Sequence, residues 1–114
     1  MLVQGIEVLE RKFGFVPDFH DDRVESILIT ADRIEMIIRT VDGLSRVQKR
    51  NGASFKLTFQ GVREFSLKGE MYGTVSIILE LLFLEKGEQV ETRLETSLGT
   101  EGFILANDVR IEEI

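Results

Sequence analysis

The sequence predicts an α+β domain that is mostly β: one N-terminal helix, then an antiparallel meander of six to seven strands forming a curved sheet or small sandwich. Three observations carry this. Apolar residues recur at helical spacing only near the N-terminus. Beyond Pro17 they alternate with period two. Turn residues then interrupt the alternation about every 8–12 residues. The 114 residues fit a single domain, 1–114, able to bury a core without metal or disulfide staples.

Leu2, Ile6, Leu9 and Phe13 share one helical face, while Glu7, Glu10 and Arg11 lie off it. The spacing predicts a helix over 3–12, which Gly14 can stop and Pro17 prevents from resuming. Ala31-Asp32 separates two β-type runs, 24–30 and 33–41, as in a hairpin; in the second, Ile34, Met36 and Ile38 alternate with Glu35 and Arg39. Residues 44–50 show no period, and suit either a ragged strand turning at Asn51-Gly52 or an exposed loop. Phe55, Leu57 and Phe59 alternate with Lys56, Thr58 and Gln60, the cleanest half-buried strand in the chain. Apolar parity slips after Gly61, which predicts a bulge or tight bend there. The leucines of 77–84 would suit a helix. The Lys86-Gly87-Glu88 turn and the alternation of Thr92, Leu94, Thr96 and Leu98 beyond it favour a buried strand. Gly99 and Gly102 mark the next reversal, and Phe103, Leu105, Val109 and Ile111 share one parity. With no second helix to make crossovers, a parallel sheet is not expected.

Composition excludes several functions. The net charge is −6 and the pI about 4.8, a poor match to nucleic-acid phosphates. The absence of Cys removes disulfides, thiolate metal sites and Cys nucleophiles. Glu7 and Glu10 break up any N-terminal signal sequence, and no apolar run approaches membrane-spanning length. A soluble, cytoplasmic protein without membrane association is expected. The charge is uneven: residues 44–68 carry six cations and one acid, whereas 85–114 carry three cations and eight acids. The plainer explanation is that opposite signs pair across neighbouring strands. The functional one is an acidic surface that meets a basic partner.

The densest polar cluster is Asp18-Phe19-His20-Asp21-Asp22-Arg23. His20 beside carboxylates could serve as a general base or metal ligand. A second His is lacking, and a structural turn after Pro17 accounts for the cluster more simply. Every serine would depend on that one His, and none lies in a nucleophile elbow. Gly99-Thr100-Glu101-Gly102 lacks the Lys of a phosphate loop. No catalytic residue, cofactor or metal is therefore assigned.

Phe19-His20-Asp21 followed by Val24-Glu25-Ser26-Ile27, Leu57-Thr58-Phe59-Gln60-Gly61-Val62, and Gly99-Thr100-Glu101-Gly102-Phe103-Ile104 together resemble small bacterial FHD-motif proteins grouped with the immunity proteins of polymorphic toxin systems. The resemblance runs over about residues 15–112. It implies a non-enzymatic protein that neutralises a toxin, with a basic toxin domain as partner. In that setting Phe19, His20 and Asp21 read as fold-determining. The partner-binding acids expected from strand parity and turn position are Glu91, Glu95, Glu101 and Asp108. Two other functions compete. One is an oligomerising interaction module pairing through an exposed edge strand such as 103–112. The other is a small-ligand or enzyme role built on His20, Asp21 and Asp22.

Overall fold

The computed structural model describes residues 3–13, 19, 22–40, 53–69, 76–97 and 101–114. Its elements are β1 (Val3–Gln4), α1 (Ile6–Phe13), β2 (Arg23–Ile29), β3 (Arg33–Arg39), β4 (Ser54–Gln60), β5 (Glu64–Lys68), β6 (Ser76–Lys86), β7 (Gln89–Thr96), β8 (Glu101–Ala106) and β9 (Asp108–Glu113). The strands form one mixed sheet in the order β1-β9-β4-β3-β2-β6-β7-β8-β5. All pairs are antiparallel except β1 with β9.

Among the described residues there are nine strands rather than six or seven, and their order is not that of a meander. The reason is visible in the chain path. β4 and β5 are one run interrupted at 61–63, and β8 and β9 are one run interrupted at Asn107. The two runs pair with each other on both sides of the interruption, β4 with β9 and β5 with β8. Val3–Gln4 adds a short strand where the helical spacing predicted a first turn, because its backbone is captured by β9 at Val109 and Arg110. The sheet also closes on itself. Hydrogen-bonded neighbours lead from β4 through β3, β2, β6 and β7 to β8, and the chain joins β8 to β9, which returns to β4.

The corner sits at Gly61 and Asn107. Gln60 faces Asp108 before it, and Glu64 faces Leu105 after it, so three residues oppose two. This is a β-bulge, the feature expected from the parity slip. The Asn107 amide is shared between the Gln60 and Gly61 carbonyls at 3.0 and 3.2 Å, and the Arg63 amide reaches the Leu105 carbonyl at 2.8 Å. Gly61 has φ +61°, and a Cβ there would lie 2.3 Å from the Asn107 Nδ2. Both conformation and space call for glycine.

The corner also corrects the C-terminal parity. Ile104 and Ala106 point inward on β8, Val109 and Ile111 on β9, while Phe103 and Leu105 are only half-buried. Gly102 lies within β8 rather than at a reversal. It stands between Leu94 and Leu67, where a side chain would strike the Ser66 carbonyl at 1.7 Å. Residues 103–112 are not an edge: β8 lies between β7 and β5, and β9 between β1 and β4. The expected turn at Asn51-Gly52 and the stretch 44–50 fall outside the described residues.

The 77–84 segment is strand, not helix. It is less buried than its composition suggests, since Leu79 and Leu82 are each 40% exposed. A two-residue turn at Gly87-Glu88 returns it into β7, with Lys86 opposite Gln89. At the other hairpin, the Thr30 hydroxyl donates to Asp32 Oδ1 at 3.0 Å and the Thr30 amide to the Arg33 carbonyl at 2.9 Å.

One core fills the interior. Ile34, Met36, Ile38, Phe55, Leu57, Phe59, Val109 and Ile111 come from one side, and Ile78, Leu81, Val90, Leu94, Ile104 and Ala106 from the other. Thr92 also points inward, between Val90 and Leu94 and opposite Ile104, and its buried hydroxyl has no hydrogen-bond partner among the described residues. An unsatisfied buried hydroxyl costs about 1–3 kcal/mol. Thr92→Val keeps the shape and removes that cost. We expect it to raise the urea midpoint with an unchanged m-value, a gain of about 1 kcal/mol.

Candidate functional site

The motif segment meets the fold where the sheet closes. Phe19 is fully buried, and its ring packs edge-to-face on Phe55 with centroids 6.1 Å apart. It holds φ +61°, an uncommon conformation for a bulky residue. Its carbonyl accepts the Asp22 amide at 2.9 Å, and the Asp22 carbonyl accepts the Ile78 amide at 2.8 Å. Arg23 and Val24 then pair with Ile77 and Ser76 to join β2 to β6. This end of the motif thus ties a core aromatic to the seam. His20 and Asp21 lie outside the described residues. Among the described residues, no three or more His, Cys, Asp or Glu side chains are grouped to hold a metal ion.

The acidic candidates are placed by register. On β7, Val90, Thr92, Leu94 and Thr96 face inward, so Glu91, Arg93 and Glu95 face outward. The β6–β7 register puts Glu80 opposite Glu95, Leu82 opposite Arg93 and Leu84 opposite Glu91. On the other side, Phe103 lies opposite Arg93 and Leu105 opposite Glu91. Glu101 is exposed at the start of β8, one position before Gly102, which pairs with Leu94. Glu80, Glu95 and Glu101 thus form a row across three strands, beside a second row of Leu82, Arg93 and Phe103.

Glu91 shares this face but is already engaged. Arg93 Nε donates to its Oε2 at 2.6 Å, and Lys86 Nζ lies 3.7 Å from Oε1. The Arg93 hydrogen bond, helped by the charges of Arg93 and Lys86, holds the Glu91 carboxyl below the usual carboxylate range, against the opposing effect of desolvation. Asp108 is separated from the other three. It lies beyond the corner on β9, opposite Gln60. Glu80, Glu95 and Glu101 make no ion pair within 4.0 Å among the described residues.

The uneven charge along the chain is partly balanced by pairing. The basic run and the acidic C-terminal run are neighbours: Lys56 stands opposite Glu112, and Lys68 opposite Glu101. The plainer explanation fits these two register positions, where opposite charges are cross-strand neighbours though not within 4.0 Å of each other. It does not extend to Glu80 and Glu95, where two carboxylates oppose each other directly. Reading parity alone misses Glu80. The two-residue turn at Gly87-Glu88 carries the signal, since counting back along both strands from Lys86 and Gln89 brings 80 to 95.

Compared with models of protein families, with curated proteins and with solved structures, the chain finds no match. No helix among the described residues is long and apolar enough to cross a membrane.

Glu91 offers a direct check on this face. Its folded pKa is depressed, so the pairing stabilises the fold above the unfolded pKa and is lost as pH falls through the folded value. In an NMR pH titration, the Glu91 side-chain carbonyl should move at lower pH than an ordinary glutamate. Arg93→Gln should return it toward the ordinary value. A midpoint that Arg93→Gln leaves in place would contradict the assignment.

Proposed function

We propose that this protein is a non-enzymatic binding protein of the immunity type, neutralising a basic toxin domain through its acidic outer face. The observation that carries the reading is the row Glu80, Glu95 and Glu101. Like charges placed directly opposite on neighbouring strands destabilise a sheet. Here Glu80 and Glu95 are so placed, with no cation in ion-pairing range among the described residues. An incoming Lys or Arg would relieve that repulsion, so the arrangement favours a basic partner. Leu82 and Phe103, beside the row, add apolar area that such a partner would cover. The FHD segment supports the same family of functions by resemblance, with its Phe19 end serving the fold.

Complementary charge mainly accelerates encounter and selects the partner. Glu91, neutralised by Arg93 and Lys86, contributes less to this than Glu95 and Glu101. Asp108 lies beyond the corner and away from the row.

The test is a pull-down with the product of the adjacent reading frame, followed by affinity measurement. The expected result is a complex that weakens with salt. Glu95→Lys with Glu101→Lys should lower its affinity about tenfold or more, because like-charge contact across an interface costs several kcal/mol. Asp108→Lys should change it less. Unchanged affinity in the Glu95→Lys, Glu101→Lys variant would refute the acidic-face reading.

A further inference from the structure

β5 ends the strand order, and its Glu64, Phe65, Ser66 and Lys68 are all exposed. Its one strand partner among the described residues is β8. In an antiparallel pair, alternate residues turn their N–H and C=O groups away from the partner, so among the described residues β5 presents an open hydrogen-bonding edge. Its sequence, Glu64-Phe65-Ser66-Leu67-Lys68, is self-complementary when read against itself in the opposite direction.

We infer that β5 is a homodimerisation edge, pairing antiparallel with β5 of a second copy about a two-fold axis at Ser66. In this register Glu64 faces Lys68 of the partner copy and Lys68 faces Glu64, two opposite-charge pairs generated by one symmetry operation. Phe65 faces Leu67 across the new pair, which covers a Phe that is 44% exposed in the single chain. Lys68 already stands opposite Glu101 on β8. The dimer thus places it between two carboxylates, in a row of alternating sign. Only a two-residue shift keeps the same N–H and C=O groups facing the partner, and in either direction it leaves Glu64 and Lys68 without an opposite charge across from them, so charge selects the Ser66-centred pairing. This inference is independent of the acidic-face reading. It moves the expected self-pairing edge from 103–112, which is interior to the sheet, to 64–68.

Analytical ultracentrifugation of the full chain tests it. The wild type should show a concentration-dependent monomer–dimer equilibrium. Glu64→Lys and Lys68→Glu, each folded by circular dichroism, should weaken self-association about tenfold or more, since each change turns two attractive pairs repulsive. Mixing the two variants should restore a heterodimer, because every Lys then faces a Glu. A monomeric wild type overturns the inference. So does a dimer that survives both substitutions, or a mixture that fails to associate.

Discussion

Two strand runs that pair along their whole length can leave one layer and enter another only by bending together at the same place. In this chain that place is Gly61 and Asn107. Three residues on one run oppose two on the other, and the Asn107 amide is shared between two carbonyls. The surplus residue takes a left-handed backbone, and a side chain there would have to push the Asn107 side chain aside. From this bend follow the two-sided core, the inward flip from Leu105 to Ala106 to Val109, and the return path from β8 to β4. The opposite closure, where Arg23 and Val24 meet Ile77 and Ser76, is short and is braced by the Phe19–Asp22 turn.

The same bend distributes the charge. It sets the basic run beside the acidic C-terminal run, so Lys56 and Lys68 have carboxylates across from them. Two like-charge oppositions are left among the described residues: Arg23 against Arg39, with Glu25 4.0 Å from the Arg39 guanidinium, and Glu80 against Glu95, with Glu101 beyond. Glu80 and Glu95 oppose each other with no cation within 4.0 Å among the described residues, a repulsion that the proposed basic partner would relieve. That face and the β5 edge adjoin through Lys68 and Glu101, so a second copy at the edge and a basic partner on the face would influence each other electrostatically.

Strand character was legible wherever a single face is buried. Ile34, Met36 and Ile38, then Phe55, Leu57 and Phe59, then Thr92, Leu94 and Thr96 all point inward as their alternation requires. The bulge at Gly61 was legible from the broken parity. The strand order was not, because pairing between β4 and β9 or β2 and β6 depends on contacts far apart in sequence that no local pattern encodes. The single parity assigned to Phe103 through Ile111 failed because Asn107 carries no local mark of a corner: the surplus residue lies on the opposite run. Gly102 looked like a turn because a strand glycine admitting the Ser66 carbonyl has the same composition signal as a reversal. Of the acidic candidates, Glu95 and Glu101 come together. Glu91 is held by cations whose reach the sequence did not show, and Asp108 is carried away by the corner.

The bend itself is best tested by comparing two glycines. Gly61 and Gly87 have nearly the same φ, +61° and +64°, but only Gly61 is crowded, since nothing lies within 4 Å of a Cβ at Gly87. Alanine at either pays the left-handed strain of about 1–2 kcal/mol; alanine at Gly61 must also displace Asn107. In urea denaturation, Gly61→Ala should lose more stability than Gly87→Ala by about 1 kcal/mol or more. Its amide exchange should rise on both β5–β8 and β4–β9. Equal losses for the two variants would contradict the view that the Gly61–Asn107 contact shapes the fold.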